Sequence, residues 1–490
     1  MSATNPTSPD PRPPNPARRV FRWLDKRTGL DNLLRIALDE KIPGGARWAF
    51  IFGSGLLFLF MLQVVTGVAL ALYYVPSADY AHVTVAYIMK VVTDGAFLRS
   101  LHSYGASAVV IVLFLHITQV FTYGSYKGRR ELLWMVGCLL CLLIFGMAFT
   151  GYLLPWDETA YFATAVGTNL ISELPLIGGA VKTALRGGAE MGTLTISRFF
   201  VIHVFLLPAS ILWLVAIHIY LFRKSHAAGP FTEDPLEPKQ KSESFYPRQL
   251  LMDLGFVLVL VTALSVLASL RHVPLGPQAD PADTNYLPRP EWYFRPIFQW
   301  LKLWTSYEWV GLLVIPTVFF LLFFGVPLVD RKLERRPWKR PVAMGCFLII
   351  ACSYIGLGAY SYWEDAHDPP VARQIQLQQE AEARYMQQPF TPILTNPGGQ
   401  NSAPASAPAN PLVAQGKTIF ESHACHACHG EGGVGTAIAP RLVGIGMKFS
   451  PQQLEEMLKN LTPAMKAGGM PPVAVTDDQM KALIAYLDSL

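Results

Sequence analysis

Seven stretches of the chain stay apolar long enough to cross a bilayer, which takes about 20 helical residues each. They cover approximately 48–74, 101–122, 132–153, 199–221, 250–270, 309–329 and 342–362. Ahead of the first, residues 20–40 alternate apolar and charged positions with helical period, as a helix lying on a membrane surface does. After the seventh, residues 365–412 turn rich in Gln, Ala, Pro, Ser and Asn (PGGQNSAPASAPANP), a flexible-tether composition. From 413 to 490 the pattern is that of a small helical domain. The expected fold class is therefore all-α: a seven-helix polytopic membrane bundle followed by a small α-helical domain. Its expected units are an N-terminal surface segment (1–47), a four-helix unit (48–230), a three-helix unit (231–364), the tether (365–412) and the terminal domain (413–490). No internal repeat is evident.

Composition agrees. Charged residues are 15% of the chain against about 25% in soluble proteins, and hydrophobic residues are 51%. The net charge of +5 matters less than its placement. Arg18, Arg19, Arg22, Lys26 and Arg27 precede the first apolar run. Lys127, Arg129 and Arg130 follow the second, and Arg223, Lys224, Lys239 and Lys241 the fourth. Arg331, Lys332, Arg335, Arg336, Lys339 and Arg340 follow the sixth. The positive-inside rule then puts the N-terminus in the cytoplasm and, after seven crossings, the C-terminal domain outside. The first twenty residues have no apolar h-region, so the first apolar run is expected to direct insertion itself. Six cysteines are too few for a disulfide scaffold, and no nucleic-acid partner is expected.

Four histidines fall inside the apolar runs: His102 and His116 in the second, His203 and His218 in the fourth. Ionisable groups at membrane depth are rare and usually functional. The intervals of 14 and 15 residues rise about 21 and 22 Å, close to four turns. Two facing helices with such pairs can hold two stacked haems, each between two imidazoles, near opposite membrane surfaces. One such histidine alone could equally be a packing residue; two matched pairs argue for ligation. Gly53 and Gly67 in the first run, and Gly137 and Gly151 in the third, are also 14 apart and would let a flat macrocycle approach the backbone. Membrane helices also use glycine simply to pack closely. His82, His226, His272 and His367 lie between runs and read as surface residues.

In the terminal domain, Cys425-His426-Ala427-Cys428-His429 is C-x-x-C-H, a c-type haem attachment motif. The two thiols bond the haem and His429 ligates its iron. GGMPP (468–472) offers Met470 as second axial ligand, with Met465 and Met447 as alternatives; Met/His ligation raises the potential, which suits an electron acceptor.

Residues 20–365 resemble cytochrome b of the quinol-oxidising bc complexes, through RSLHSYGAS (99–107), GYLLPWDETAY (151–161), SRFFVIH (197–203) and PEWYF (290–294). The 15-residue interval and the seven-helix count are similar to cytochrome b6 joined to subunit IV; the terminal domain is similar to class I cytochromes c. The resemblance implies a low-potential haem b on His102 and His203 at the outer side and a high-potential haem b on His116 and His218 at the cytoplasmic side. It places Arg99 and Arg198 among the cofactor-binding residues. Ile51 stands where cytochrome b6 has a cysteine for an extra covalent haem, so that haem is expected to be absent. Of the PEWY residues (Pro290, Glu291, Trp292, Tyr293), Glu291 is implied to accept a quinol proton, with Pro155 and Trp156 in the facing wall. Asp253 and Arg223 are implied at a cytoplasmic quinone site, although a capping or charge-neutralising role for Asp253 fits the sequence as well.

The resulting expectation is the cytochrome b/c subunit of a proton-translocating quinol:cytochrome c oxidoreductase in a bacterial inner membrane. It carries two haem b, one covalent haem c and bound quinol or quinone. One electron leaves quinol through a Rieske protein to haem c and the other crosses the membrane through the b haems. The chain has no C-T-H-x-G-C motif, so the Rieske protein is expected as a separate subunit, in a homodimeric larger complex that hands electrons to a soluble cytochrome c or a terminal oxidase. The competing readings are an electron-transfer or sensory membrane cytochrome without quinol turnover, and a transporter or scaffold with incidental histidines.

Overall fold

The computed structural model describes residues 16–229, 231, 242–281, 283, 286–307, 309–392, 411–423, 425–433, 439–462, 465–466 and 469–490. The tether segment 393–410, Lys239 and Lys241 lie outside them.

The N-terminal segment forms α1 (Pro16–Thr28) and α2 (Leu30–Leu38), broken at Gly29, whose φ of +67° suits glycine. On α1, Val20 and Trp23 are exposed beside the basic residues, as an interfacial helix requires. A two-stranded ribbon, β1 (Lys41–Pro43) with β2 (Ser242–Ser244), is the one sheet among the described residues.

Six described helices are long and apolar enough to cross a membrane. These are α3 (Ile51–Ala71, with Trp48–Phe50 as a leading turn), α5 (Gly95–Thr122), α6 (Glu131–Tyr152), α9 (Thr193–Ser225), α10 (Arg248–Leu270) and α13 (Pro341–His367). Between them come α4 (Ala81–Lys90), α7 (Glu158–Ser172), α8 (Gly178–Arg186), α11 (Arg295–Lys302) and α12 (Val310–Phe324). The sixth predicted span, 309–329, differs in form: α12 has 15 residues, short of a full crossing, and Gly325 separates it from a last turn at Val326–Val329.

Helix α3 packs against α5 and α6 against α9, which makes a four-helix bundle; α10 lies against α3 and α5. Leu59, Val109, Val112 and Leu264 are its buried centre on the α10 side. Helices α7 and α8 cap one end, where Arg186 is buried and donates to Thr168 Oγ1 at 2.8 Å and Asn169 Oδ1 at 3.0 Å. The PEWY loop lies before α11, which packs on α13.

Two expectations are corrected. The segment read as a tether is helical over Pro369–Gln387 (α14) and packs down. Its Asp368 N-cap accepts from Val371 N, Pro369 occupies the first turn, and Gln, Ala and Glu favour helix. Composition alone had concealed that start signal. Tyr385 and Met386 of α14 pack with Phe390 on Val85, Met89 and Leu275, while Lys90 Nζ donates to the Tyr385 carbonyl at 2.6 Å and lies over its ring. His82 is the second correction. It is buried on α4 with Nε2 2.8 Å from the Gly276 carbonyl, and burial holds its pKa below the usual value.

The terminal domain comprises α15 (Pro411–Ser422), α16 (Cys425–His429), α17 (Ile445–Lys448), α18 (Pro451–Lys459) and α19 (Asp477–Ser489). Its core joins Ile419, Phe420, Leu454, Leu483 and Leu487. It touches the rest of the chain through α17 and α18: Arg384 reaches the Lys448 carbonyl, Gln453 donates to Glu380 at 2.8 Å, and Lys448 Nζ enters a pocket of Glu158, Asp280 and Asp283.

Candidate haem and quinol sites

The Glu291 end of the bundle brings His102 and His203 together, ring centres 6.5 Å apart and planes 77° apart. Two imidazoles that each set Nε2 about 2 Å from a shared metal have centres about 6 Å apart. The spacing therefore fits one iron between them. A Cβ on Gly67 would stand 3.1 Å from His102 Cε1, and one on Gly151 2.5 Å from His203 Cε1. Each glycine lies against its histidine, where a side chain would meet the imidazole.

The ring orientations are fixed from behind. Thr66 Oγ1 is 2.8 Å from His102 Nδ1 and Thr150 Oγ1 is 3.1 Å from His203 Nδ1. Sequence reasoning missed both threonines, although the Thr-Gly pair recurs at 66–67 and 150–151.

The different histidine intervals are reconciled by backbone geometry. In a regular helix, 14 and 15 residues differ by about 100° in direction. Helix α9 contains a π turn at Ile202–Leu206, with His203 inside it. A π turn takes up one extra residue, so the 15-residue interval on α9 faces as the 14-residue interval on α5 does. Pro208 follows two residues later; it has no N–H for the Val204 carbonyl and its ring crowds it.

At the other end, His116 and His218 line a cavity of about 450 Å³ together with Gly53 and Gly137. Cβ atoms there would stand 3.7 Å from His116 and 3.3 Å from His218. The Nδ1 atoms of both histidines are buried with no side-chain partner, and the Leu133 carbonyl faces His218. The same cavity reaches Asp253 and Arg223. Asp253 accepts from Ser54 Oγ at 2.6 Å and Gln249 Nε2 at 2.8 Å, so its carboxylate does not cap a helix end. Arg223 pairs with Glu40 at 3.1 Å, and Glu40 also meets His226 Nδ1 at 3.1 Å. Ser54, Gln249, Glu40 and His226 had no motif to announce them.

Arg99 donates to the Val273 carbonyl at 2.8 Å, and Arg198 to that of Ala184. The PEWY segment is held on all sides. Trp292 Nε1 donates to Ser107 Oγ at 3.3 Å, and the Tyr293 carbonyl accepts from Tyr354. Arg289 and Arg295 bracket it, both paired with Asp365. Burial pushes the Glu291 carboxyl above its usual pKa, against smaller opposing effects of a backbone N–H and Arg295. On the opposing segment, Leu153 and Trp156 are buried, Tyr74 donates to the Leu154 carbonyl at 2.8 Å, and Asp157 caps α7. Thr159 Oγ1 lies 2.6 Å from Tyr286 OH, tying this segment to the chain that leads into PEWY.

In the terminal domain, Cys425, Cys428 and His429 share one short helix. His429 Nδ1 is 2.9 Å from the Pro440 carbonyl, which leaves Nε2 free of that bond. Met470 packs on the domain core. Among the described residues no three His, Cys, Asp or Glu side chains gather as a metal cluster.

Residues 38–226 match the family described as cytochrome b/b6/petB, 278–376 that of cytochrome b(C-terminal)/b6/petD, and 411–487 that of cytochrome C oxidase, cbb3-type, subunit III. The chain is 35% identical over 327 residues to cytochrome b of Rhodobacter capsulatus, covering 64% of this chain and 74% of that one. It is 40% identical over 220 residues to the menaquinol:cytochrome c reductase cytochrome b subunit of Geobacillus thermodenitrificans, covering 43% of this chain and 98% of that one. A solved hyperthermophilic respiratory Complex III chain superposes with a TM-score of 0.63 at 25% identity, covering 75% of this chain and 96% of that one. This chain belongs to the cytochrome b family, as the membrane-spanning cytochrome b of a bc-type respiratory complex, and it carries a cytochrome c domain at its C-terminal end.

Proposed function

We propose that the chain is the cytochrome b/c subunit of a proton-translocating quinol:cytochrome c oxidoreductase. The observation that carries this reading is the placing of two histidine pairs at the two ends of one bundle, between the Glu291 loop and the Asp253 cavity. His102 with His203, and His116 with His218, hold two non-covalent haem b groups; Cys425, Cys428, His429 and Met470 hold one covalent haem c. When bound, these groups supply one-electron chemistry that takes one quinol electron across the membrane and receives the other from a separate Rieske iron–sulfur protein.

The residues of the chain do the rest. Glu291 takes a quinol hydroxyl proton on a carboxylate oxygen and releases it outside. Its raised pKa makes it a stronger base than a free carboxylate. Pro290, Trp292 and Tyr293 wall the ring and exclude water. Asp253, hydrogen-bonded by Ser54 and Gln249, and Arg223 orient a quinone for reduction at the opposite end. The N-terminus is cytoplasmic and the cytochrome c domain is periplasmic, in a bacterial inner membrane. The assembly is a homodimer within a larger complex that delivers electrons to a soluble cytochrome c or a terminal oxidase.

The test is rapid mixing of quinol with the purified complex in the absence of soluble cytochrome c. One haem c per chain is expected to reduce at the rate of quinol oxidation, and removal of the Rieske subunit to abolish that phase. Equally fast reduction without the Rieske subunit would refute the electron route.

A further inference from the structure

We propose that Thr66 and Thr150 are positioning residues that lower the reduction potential of the iron site at His102 and His203 relative to the site at His116 and His218. The inference rests on the haem-binding reading above and adds the cause of an asymmetry.

Each hydroxyl has one proton, and in both threonines it is already committed. Thr66 Oγ1 donates to the Leu62 carbonyl at 2.7 Å and Thr150 Oγ1 to the Gly146 carbonyl at 2.9 Å. Each oxygen therefore meets its histidine as an acceptor. With iron held on Nε2, Nδ1 of His102 and of His203 carries the proton and donates it to the threonine oxygen. A hydroxyl that donates to a carbonyl is a polarised and better acceptor. Donation from Nδ1 makes the imidazole a more basic ligand. A more basic ligand stabilises the ferric over the ferrous state and so lowers the potential; hydrogen bonds to an axial ligand are a lever on haem potential.

The other site lacks this device. Fourteen residues before Thr66 and Thr150, in the same relation to the neighbouring glycine and histidine, stand Phe52 and Val136. Neither has a hydroxyl, so no side-chain oxygen meets Nδ1 of His116 or of His218. One backbone contact is common to both ends, since the Met147 carbonyl faces His203 and the Leu133 carbonyl, fourteen residues earlier, faces His218. The hydroxyls are confined to the Glu291 end. They place the lower potential at the Glu291 end, so that an electron entering there runs downhill along the bundle.

The experiment is a potentiometric titration of the b-haem absorption in the intact complex carrying Thr66→Val, Thr150→Val, or both. Each substitution is expected to raise the lower-potential wave by about tenfold in the reduction equilibrium, about 59 mV for one electron, and to leave the upper wave in place. Thr66→Ser and Thr150→Ser keep the hydroxyl and should keep the potential. Val136→Thr, nearly isosteric, should lower the upper wave, and it tests the idea even where a valine variant fails to retain haem. Both haems bound with unmoved potentials in the double valine variant and in Val136→Thr would overturn the proposal. Absence of two b haems from the unsubstituted complex would instead overturn the reading on which it rests.

Discussion

Arg289 grips Asp365 with two prongs, Nε at 2.9 Å from Oδ2 and Nη2 at 2.8 Å from Oδ1. Arg295 adds a third contact to the same carboxylate at 2.7 Å. The two arginines bracket PEWY in the sequence, and Asp365 lies near the end of the last spanning helix. The loop that presents Glu291 is thus clamped from both sides by one acid. Breaking such a buried pair costs about 3–5 kcal/mol because it strands the remaining charges. Asp365→Ala is expected to lower thermal stability and to slow quinol oxidation while both b-haem spectra persist. Full turnover with unchanged melting would show that the clamp does not hold the loop.

Glu291 sets a pH dependence. Its carboxyl is raised by burial above the ordinary value of about 4.3. A group raised in this way is still protonated at pH values where a free glutamate has ionised. Only the ionised form accepts a quinol proton, so the oxidation rate should rise with pH through the window above the ordinary carboxylate range. Glu291→Gln should slow turnover, flatten that limb and leave the haem spectra intact. A retained pH limb in this variant would remove Glu291 from the proton step.

The four glycines should not be equally sensitive. A methyl on Gly151 would sit 2.5 Å from His203, whereas one on Gly53 would sit 3.7 Å from His116, an ordinary contact. Gly151→Ala is expected to lose or strongly disturb the haem at the Glu291 end. Gly53→Ala should retain the other haem with a small spectral change. Haem quantitation on the two purified variants checks this, and equal retention in both would contradict the geometry.

Lys448 anchors the cytochrome c domain. Its ammonium contacts Glu158 and lies 3.5 Å from Asp283 and 3.9 Å from Asp280. Burial pushes the Glu158 carboxyl up to about 7 even with the lysine present. Lys448→Gln would leave three acids facing one another and should weaken the docking by about 3 kcal/mol. Hydrogen exchange in α14 and α17 should speed up in that variant, with the fold of each domain unchanged. Unaltered exchange would mean that the contact does not hold the domain.

The sequence by itself determined whatever is local or periodic. Apolar runs have to become helices in lipid, because only there are backbone polar groups satisfied, and the spans follow. His102, His116, His203 and His218 stand out because ionisable groups are costly at that depth. Cys425, Cys428 and His429 form a contiguous motif whose chemistry needs no fold to be recognised. The tertiary structure decided what depends on residues far apart in the chain or on departures from ideal geometry. Helix α14 lies in a segment whose composition reads as a tether, and its seat on Lys90 and His82 lies nearly 300 residues away. The clamp of Arg289 and Arg295 on Asp365 exists only once two separate segments have met. The spacing of His203 and His218 is out of phase with that of His102 and His116 in any regular helix. The π turn before Pro208, where a missing N–H relaxes the helix by one residue, brings the two pairs into the same register.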